Sequence, residues 1–329
     1  MKGVLSFLFL SFLFLGGCIN NVENPTYVPT AYNLQIPVGF PEMTIPEDNP
    51  LTVEGVELGR KLYYDKKLDK NGARACATCH VQSNSFTSAS DVLPQVNLGW
   101  SNNFLWDSKV SGSVEDIMRF EVVEFFETNV DVLNGDTEYP TLFKQAFGVE
   151  EITTDDVVNA LAQFIRIMNS GNAKFDKFLR NEAEFTNQEY LGYELFYTER
   201  GDCFHCHATM FLTDNILHNN ALDTKPDPGH FAISGDSLDY GKFKSPTLRN
   251  IEFTGPYMHD GRYASLEEVV EFYSTGLEKS ATVDPLMKNL ITGGVQLSTE
   301  EKAALVAFLK TLSDTDFLTN PELSDPGFQ

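Results

Sequence analysis

The pentapeptides Cys76-Ala-Thr-Cys-His80 and Cys203-Phe-His-Cys-His207 hold four of the chain's five cysteines in two copies of one pattern. In such a run, two thiols can form thioethers with the vinyl groups of a haem, and the next histidine then reaches the iron. A zinc site needs four protein ligands together, and a redox-active cysteine pair does not need the histidines. We therefore predict two covalent haems c, attached through Cys76, Cys79, Cys203 and Cys206, with His80 and His207 as the proximal iron ligands.

The two motifs lie within a longer internal repeat. Gly59-Arg-Lys-Leu-Tyr-Tyr64 precedes the first motif as Gly192-Tyr-Glu-Leu-Phe-Tyr197 precedes the second. Each unit is predicted to be a helix that leads into a haem loop. Capping-box patterns, in which a hydroxyl residue is followed three positions later by glutamate, begin three further helices at Thr186, Ser265 and Ser298, and residues 155–168 have apolar residues at helical spacing.

These patterns predict a mostly α-helical protein with two haem domains. We place the N-terminal domain at residues 51–180, the C-terminal domain at residues 181–315 and a tail at residues 316–329.

The N-terminal segment predicts export. Residues 1–17 have one lysine and an apolar run, as in a signal peptide, and Leu15-Gly-Gly-Cys18 resembles a bacterial lipobox. We expect Cys18 to be lipidated and residues 18–50, rich in proline, to form a tether to a membrane surface. The alternative is an ordinary signal peptide with Cys18 as a free thiol. We therefore expect a membrane-anchored lipoprotein in the periplasm or cell envelope.

The net charge of the chain is −23. This acidity argues against nucleic acid as a partner and favours a basic protein.

Beyond the haem motifs, the chain resembles the bacterial di-haem cytochrome c peroxidase and MauG family. The resemblance is carried by the motif spacing, by WDSKV at residues 106–110 and above all by the stretch at residues 239–273, which contains GKFKSPTLRN and PYMHDG. It implies two cytochrome c-like domains packed face to face, with calcium at their interface. It also implies reduction of hydrogen peroxide at the first haem by electrons that enter at the second.

The resemblance assigns roles at the first haem. It matches Trp106 to a tryptophan that helps electrons cross between the haems, although a lone tryptophan is more often a core residue. It matches Glu127 to the acid that assists O–O cleavage, with Glu121 and Glu124 as alternatives if the alignment shifts. Val96 and Asn97 occupy the region where many relatives carry a capping histidine, so we expect an open first haem.

At the second haem, the family's sixth-ligand position falls on Tyr273, as in MauG-like members, and Met258 is the alternative ligand. A tyrosinate ligand favours ferric iron. The calcium ligands carry over to Asp91 and to the carbonyl groups of Thr254 and Pro256, since hard cations prefer oxygen.

Three functions are compatible with this pattern. The first is a lipid-anchored peroxidase supplied with electrons by a small c-type cytochrome or similar donor. The second is a MauG-like oxidase that acts on a partner protein. The third is a di-haem electron carrier without chemistry of its own.

Overall fold

The computed structural model describes residues 28–88 and 92–327, and it is mostly helical. The predicted signal peptide, Cys18 and Asp91 lie outside the described residues. The α-helices of the first half are α1 (Val53–Tyr64), α2 (Cys76–Cys79), α3 (Val114–Phe120), α4 (Val130–Asn134), α5 (Tyr139–Phe147) and α6 (Thr154–Arg166). Those of the second half are α7 (Lys174–Leu179), α8 (Asn187–Phe196), α9 (Phe204–His207), α10 (Phe231–Ser234), α11 (Leu266–Thr275), α12 (Thr299–Lys310) and α13 (Thr315–Thr319).

Shorter elements connect the helices. A π-helical segment, Glu121–Phe125, continues α3. The 3-10 turns are Lys66–Leu68, Gln82–Asn84, Leu98–Trp100, Ser237–Asp239, Ile251–Phe253 and Lys288–Ile291. Two antiparallel ribbons pair β1 (Asn103–Phe104) with β2 (Val110–Ser111) and β3 (Leu217–His218) with β4 (Phe243–Lys244).

Each half has its own core, built on one crossing pair of long helices. In the first, α1 packs on α6 with α3 and α5 beside them; in the second, α8 packs on α12 with α11 alongside. The capping boxes predicted at Thr186, Ser265 and Ser298 are confirmed, because each hydroxyl accepts a hydrogen bond from the backbone N–H three residues later. The helix expected at residues 155–168 is α6.

The repeat extends to how the helices cross. A Cβ atom at Gly59 would lie 1.9 Å from the carbonyl oxygen of Ala160, and one at Gly192 would lie 2.0 Å from that of Ala304. Only glycine lets the backbones of α1 and α6, or of α8 and α12, approach so closely. The two halves therefore share one arrangement, in which the helix that precedes the CxxCH loop crosses a second helix at very short distance.

The N-terminal part of the described chain follows the surface without forming a helix. Residues 28–50 lie within the predicted tether, yet Tyr32 N–H donates to the Leu51 carbonyl group and the Phe40 ring contacts Phe211 in the second half. At its end, Asn49 is buried and donates to Glu115.

The C-terminal residues, predicted as a tail, return to the first domain. Phe317, Leu318 and Leu323 belong to its core, and the Phe317 ring lies 5.5 Å from that of Phe86, just beyond the first CxxCH loop. The Gln82 side chain donates to the Asn320 carbonyl group at 2.8 Å. The C-terminal residues therefore complete the hydrophobic core of the first domain.

The two domains contact each other through the loop around β1 and β2. The Lys244 N–H donates to the carbonyl oxygen of Trp106 at 2.7 Å, and the His230 ring donates to that of Asp107 at 2.6 Å. No helix among residues 28–88 and 92–327 is long and apolar enough to span a bilayer.

Candidate haem sites

Both proximal histidines are oriented in the same way. His80 Nδ1 donates to the carbonyl oxygen of Phe86 at 2.7 Å, and His207 Nδ1 donates to that of Leu212 at 2.9 Å. A carbonyl oxygen only accepts, so the proton lies on Nδ1 and Nε2 is left with its lone pair. This is the tautomer that an iron ligand needs.

A backbone reversal provides both acceptors. Phe86 and Leu212 have φ values of 56° and 54°, in the left-handed region that residues with large side chains rarely adopt. Burial also lowers the pKa of His80, to about 4, and that of His207, so both rings are neutral near pH 7. The motif predicted the histidines but not the residues that orient them.

The cysteines of the two loops are free to bind haem. Cys76, Cys79, Cys203 and Cys206 form no disulfide. A cavity beside the second loop is lined mainly by apolar residues and includes Cys203, Cys206 and His207. Lys244 is buried on its wall, and its ammonium group has no hydrogen bond or ion pair with any described residue. A buried cation needs a counter-charge, which a haem propionate would supply, so these residues fit the group.

Tyr273 and Met258 line this same cavity. The Asn220 side chain donates to the Tyr273 hydroxyl group at 3.2 Å and lies 3.7 Å from the Met258 sulfur. Burial raises the pKa of Tyr273 to about 12. The two candidate ligands therefore share one amide neighbour, a residue that no sequence signal had marked.

The other histidines of the second domain have polar partners. His218 lies between Asp214 and Asp284, at 2.8 and 2.7 Å. Burial lowers its pKa, but hydrogen bonds with Asp214, Cys206 and Asp284 outweigh burial and raise it to about 11. His230 bonds to a backbone carbonyl group, His259 lies 3.1 Å from Asp227, and His205 contacts Lys288.

At the first haem loop, Asn97 has a structural role. Its side chain donates to the Ser170 carbonyl group at 3.0 Å and accepts from the Ser170 N–H at 2.9 Å. Val96 is buried in the core. Neither residue is a histidine. Both polar atoms of the Asn97 side chain are hydrogen-bonded to the backbone of Ser170, in the segment that follows α6.

The acids of the neighbouring segment differ in environment. Glu127 is 56% exposed and forms an ion pair with Lys70, and Glu124 is exposed. Glu121 is partly buried, and burial raises its pKa to about 7.

Trp106 lies on the wall of the cavity beside the second haem loop, although it belongs to the first domain. Its carbonyl oxygen is the acceptor for Lys244 of the second domain. Trp106 is thus at the contact between the two halves, the location that a tryptophan between two haems would need.

Thr254 and Pro256 line the same cavity. The third predicted calcium ligand, Asp91, lies outside the described residues, so the calcium site stays a prediction.

Comparison with known proteins agrees with a chain that holds two haems. A family model described as di-haem cytochrome c peroxidase matches residues 53–184. The methylamine utilization protein MauG of Methylorubrum extorquens is 35% identical over 305 residues, covering 84% of each chain. Cytochrome-c peroxidase IdrP2 of Denitromonas iodatirespirans is 29% identical over 322 residues, covering 82% of this chain and 84% of its own. The crystal structure of a MauG-like protein associated with microbial copper homeostasis matches with a TM-score of 0.82 at 32% identity, over 90% of this chain and 99% of the other.

Proposed function

Because the chain belongs to the di-haem cytochrome c peroxidase and MauG family of haem-dependent oxidoreductases, we propose that it reduces hydrogen peroxide to water. Two electrons and two protons convert one peroxide into two water molecules. The electrons would enter at the second haem from a small c-type cytochrome or similar donor, whose basic face suits a chain with a net charge of −23.

When bound, the haems supply irons that exchange electrons. His80 and His207 would each bind one iron through Nε2, because their Nδ1 protons are held by carbonyl oxygens. Trp106 lies at the domain contact that electrons must cross.

The observation that carries the peroxidase proposal is the contrast between the two sites. Tyr273 and Met258 line the second cavity and would offer a side-chain ligand to its haem, whereas Val96 and Asn97, where many relatives carry a capping histidine, would offer none to the first. Of the two, we propose Tyr273 as the sixth ligand. An iron with an open position can react with peroxide, and a fully ligated one serves as an electron carrier.

The electron paramagnetic resonance spectrum of the oxidised holoprotein tests this contrast. We expect one high-spin and one low-spin haem. Two low-spin signals would contradict an open first haem and would favour a peroxidase activated by reduction or a plain electron carrier. Tyr273→Phe should then change the low-spin signal, with Met258→Leu as the matched control; the reverse result would assign Met258 as the ligand.

Peroxide-dependent oxidation of a reduced c-type cytochrome tests the reaction itself. Turnover by the wild-type protein is expected, and its absence, with both haems loaded, would overturn the proposal.

A second candidate is MauG-like oxidation of a partner protein. Tyr273, in the ligand position that MauG-like members share, favours it, as does the similarity to MauG of Methylorubrum extorquens. Peroxide consumption without any added cytochrome, coupled to oxidation of a co-purifying protein, would support this function over the first.

We further propose a periplasmic or envelope location, with lipid on Cys18 as the membrane anchor and one calcium ion held by Asp91, Thr254 and Pro256. Cys18→Ser should release the protein from the membrane fraction. Loss of one bound calcium per chain in Asp91→Ala, measured by atomic emission, would test the ion.

A further inference from the structure

A cluster of polar side chains lies on the second CxxCH loop and on the turn that precedes it. Its members are Glu199, which follows α8, Asp202, which precedes Cys203, and His205, between the two cysteines of the motif. One oxygen of each carboxylate and one nitrogen of the imidazole lie within 4.8 Å of one another. The proposed peroxidase reaction uses none of these three side chains.

Lys288 reaches this cluster from the loop between α11 and α12. Its ammonium group donates to the Glu199 carboxylate at 2.6 Å and to His205 Nε2 at 2.7 Å. An ammonium group only donates, so Nε2 accepts with its lone pair. The cluster therefore already holds one cation through atoms that a metal ion would also use.

The buried oxygen of Asp202 is left out of this arrangement. The Asp202 side chain is 9% exposed, and its Oδ1 atom forms no hydrogen bond with any described residue. The Lys288 ammonium group is 3.7 Å from Oδ1, beyond hydrogen-bond distance. His205 Nε2 is 3.2 Å from Oδ1, but a nitrogen that accepts from Lys288 has no proton to donate. Two lone pairs thus face each other, and a shared cation would relieve this contact.

The spacing of the three ligand atoms suits one metal ion. A tetrahedral ion with bonds of about 2.0–2.1 Å separates neighbouring ligand atoms by about 3.3 Å. His205 Nε2 lies 3.2 Å from Asp202 Oδ1 and 3.4 Å from Glu199 Oε1. One imidazole nitrogen with two carboxylate oxygens is a donor set that binds Zn²⁺, and three protein ligands leave the fourth tetrahedral position to water.

We propose that Glu199, Asp202 and His205 bind a divalent transition-metal ion of the Zn²⁺ type in place of the Lys288 ammonium group. The side chains of Lys288 and Glu199 are exposed, so the lysine can turn to solvent and the ion can enter from it. An exposed ion pair such as theirs contributes little to stability. The exchange therefore costs the fold little, whereas the ion gains three ligands and gives Asp202 Oδ1 its missing partner.

A metal ion at this site would act on the second haem through its charge. Asp202 and His205 flank Cys203, a predicted attachment point, and Asp202 also lines the cavity of the second loop. A divalent ion carries one positive charge more than the lysine that it replaces. Added positive charge favours the reduced form of a haem, so metal binding should raise the reduction potential of the second haem.

Isothermal titration of the oxidised holoprotein with ZnCl₂ tests the site. Excess CaCl₂ in the buffer occupies sites made of oxygen alone, including the proposed calcium site. We expect one Zn²⁺ ion per wild-type chain. Loss of an outer-shell partner alone weakens metal sites about 10–100-fold, so His205→Gln, which removes a direct ligand, should weaken binding at least about tenfold. Lys288→Met should strengthen binding, because it removes the competing cation.

Two further variants separate the site from folding and from general acidity. Asp202 has a φ of 62°, a left-handed conformation that asparagine also tolerates, so Asp202→Asn should load haem and still lose Zn²⁺ affinity. Glu194→Gln removes an exposed acid of α8 outside the cluster and should keep the wild-type affinity. If His205→Gln does not load haem, Asp202→Asn provides the same test.

Two results of the titration would overturn the proposal. The first is the absence of Zn²⁺ binding in both the wild-type protein and Lys288→Met, which would leave the cluster as an ion pair only. The second is Zn²⁺ binding that neither His205→Gln nor Asp202→Asn weakens, which would be adventitious binding elsewhere.

Spectroelectrochemical titration supplies a readout that an ion pair alone would not change. Zn²⁺ should raise the midpoint potential of one haem in the wild-type protein and leave both potentials unchanged in Asp202→Asn. A bound Zn²⁺ ion that changes neither potential would overturn its action on the second haem. Neither measurement involves peroxide, so failure of the proposed reaction would leave this proposal intact.

Discussion

Replacing Gly59 by alanine should destabilise the first domain. The new Cβ would lie 1.9 Å from the carbonyl oxygen of Ala160 and 2.9 Å from the Phe164 Cβ, whereas ordinary contact begins at 3.4 Å. Since the closer atom is backbone, α1 and α6 must move apart. Overpacking costs about 1–3 kcal/mol, and the better helix propensity of alanine returns about 1 kcal/mol. Because a backbone clash relaxes poorly, we expect a net loss of about 2 kcal/mol.

Thermal unfolding of the holoprotein, followed by circular dichroism and by the haem absorption band, measures this loss. Glu57→Ala, at an exposed site on the same helix, is the matched control, because it changes propensity without a clash. Gly192→Ala should produce an equivalent loss in the second domain, where the Cβ would lie 2.0 Å from the Ala304 carbonyl oxygen. A Gly59→Ala protein as stable as the control would refute the account of the crossing.

Two further predictions concern buried polar groups. The pKa of His218 is raised to about 11 in the folded protein, so its contribution to stability is complete below about pH 6.5 and is lost as the pH rises towards 11. The stability difference between wild type and His218→Asn should therefore shrink from pH 6 to pH 10 in urea unfolding; a constant difference would argue against an imidazolium between Asp214 and Asp284. Asn97→Ala should lower the free energy of unfolding by about 2 kcal/mol, since it leaves buried Ser170 groups unpaired and places alanine at a φ of 57°. Unchanged urea unfolding of that variant would contradict this role.

Local signals predicted much of this molecule. The capping box of Ser298 and Glu301 joins residues only three positions apart, so the sequence alone is enough to predict it. The CxxCH motifs are equally local. The repeated glycines were visible as letters, but their partners Ala160 and Ala304 are about a hundred positions away, and only the packed helices identify them.

What the sequence left undecided depends on side-chain direction. The sequence alone does not distinguish the three nearby acids Glu121, Glu124 and Glu127. The π-helical turn at residues 121–125 determines which of their side chains is partly buried. No sequence motif marks the carbonyl groups that orient the proximal histidines, because the backbone of any residue can provide such a group. Asn220 had no signal, since it contacts Tyr273 only after distant segments come together.

The return of the C-terminal residues to the first domain has a consequence for biogenesis. During synthesis the first CxxCH motif emerges long before Phe317, yet Phe317 packs against Phe86, whose carbonyl group orients His80. The earlier domain cannot close its core until the last residues of the chain are available. The first domain can therefore complete its folding only after both CxxCH motifs have been synthesised.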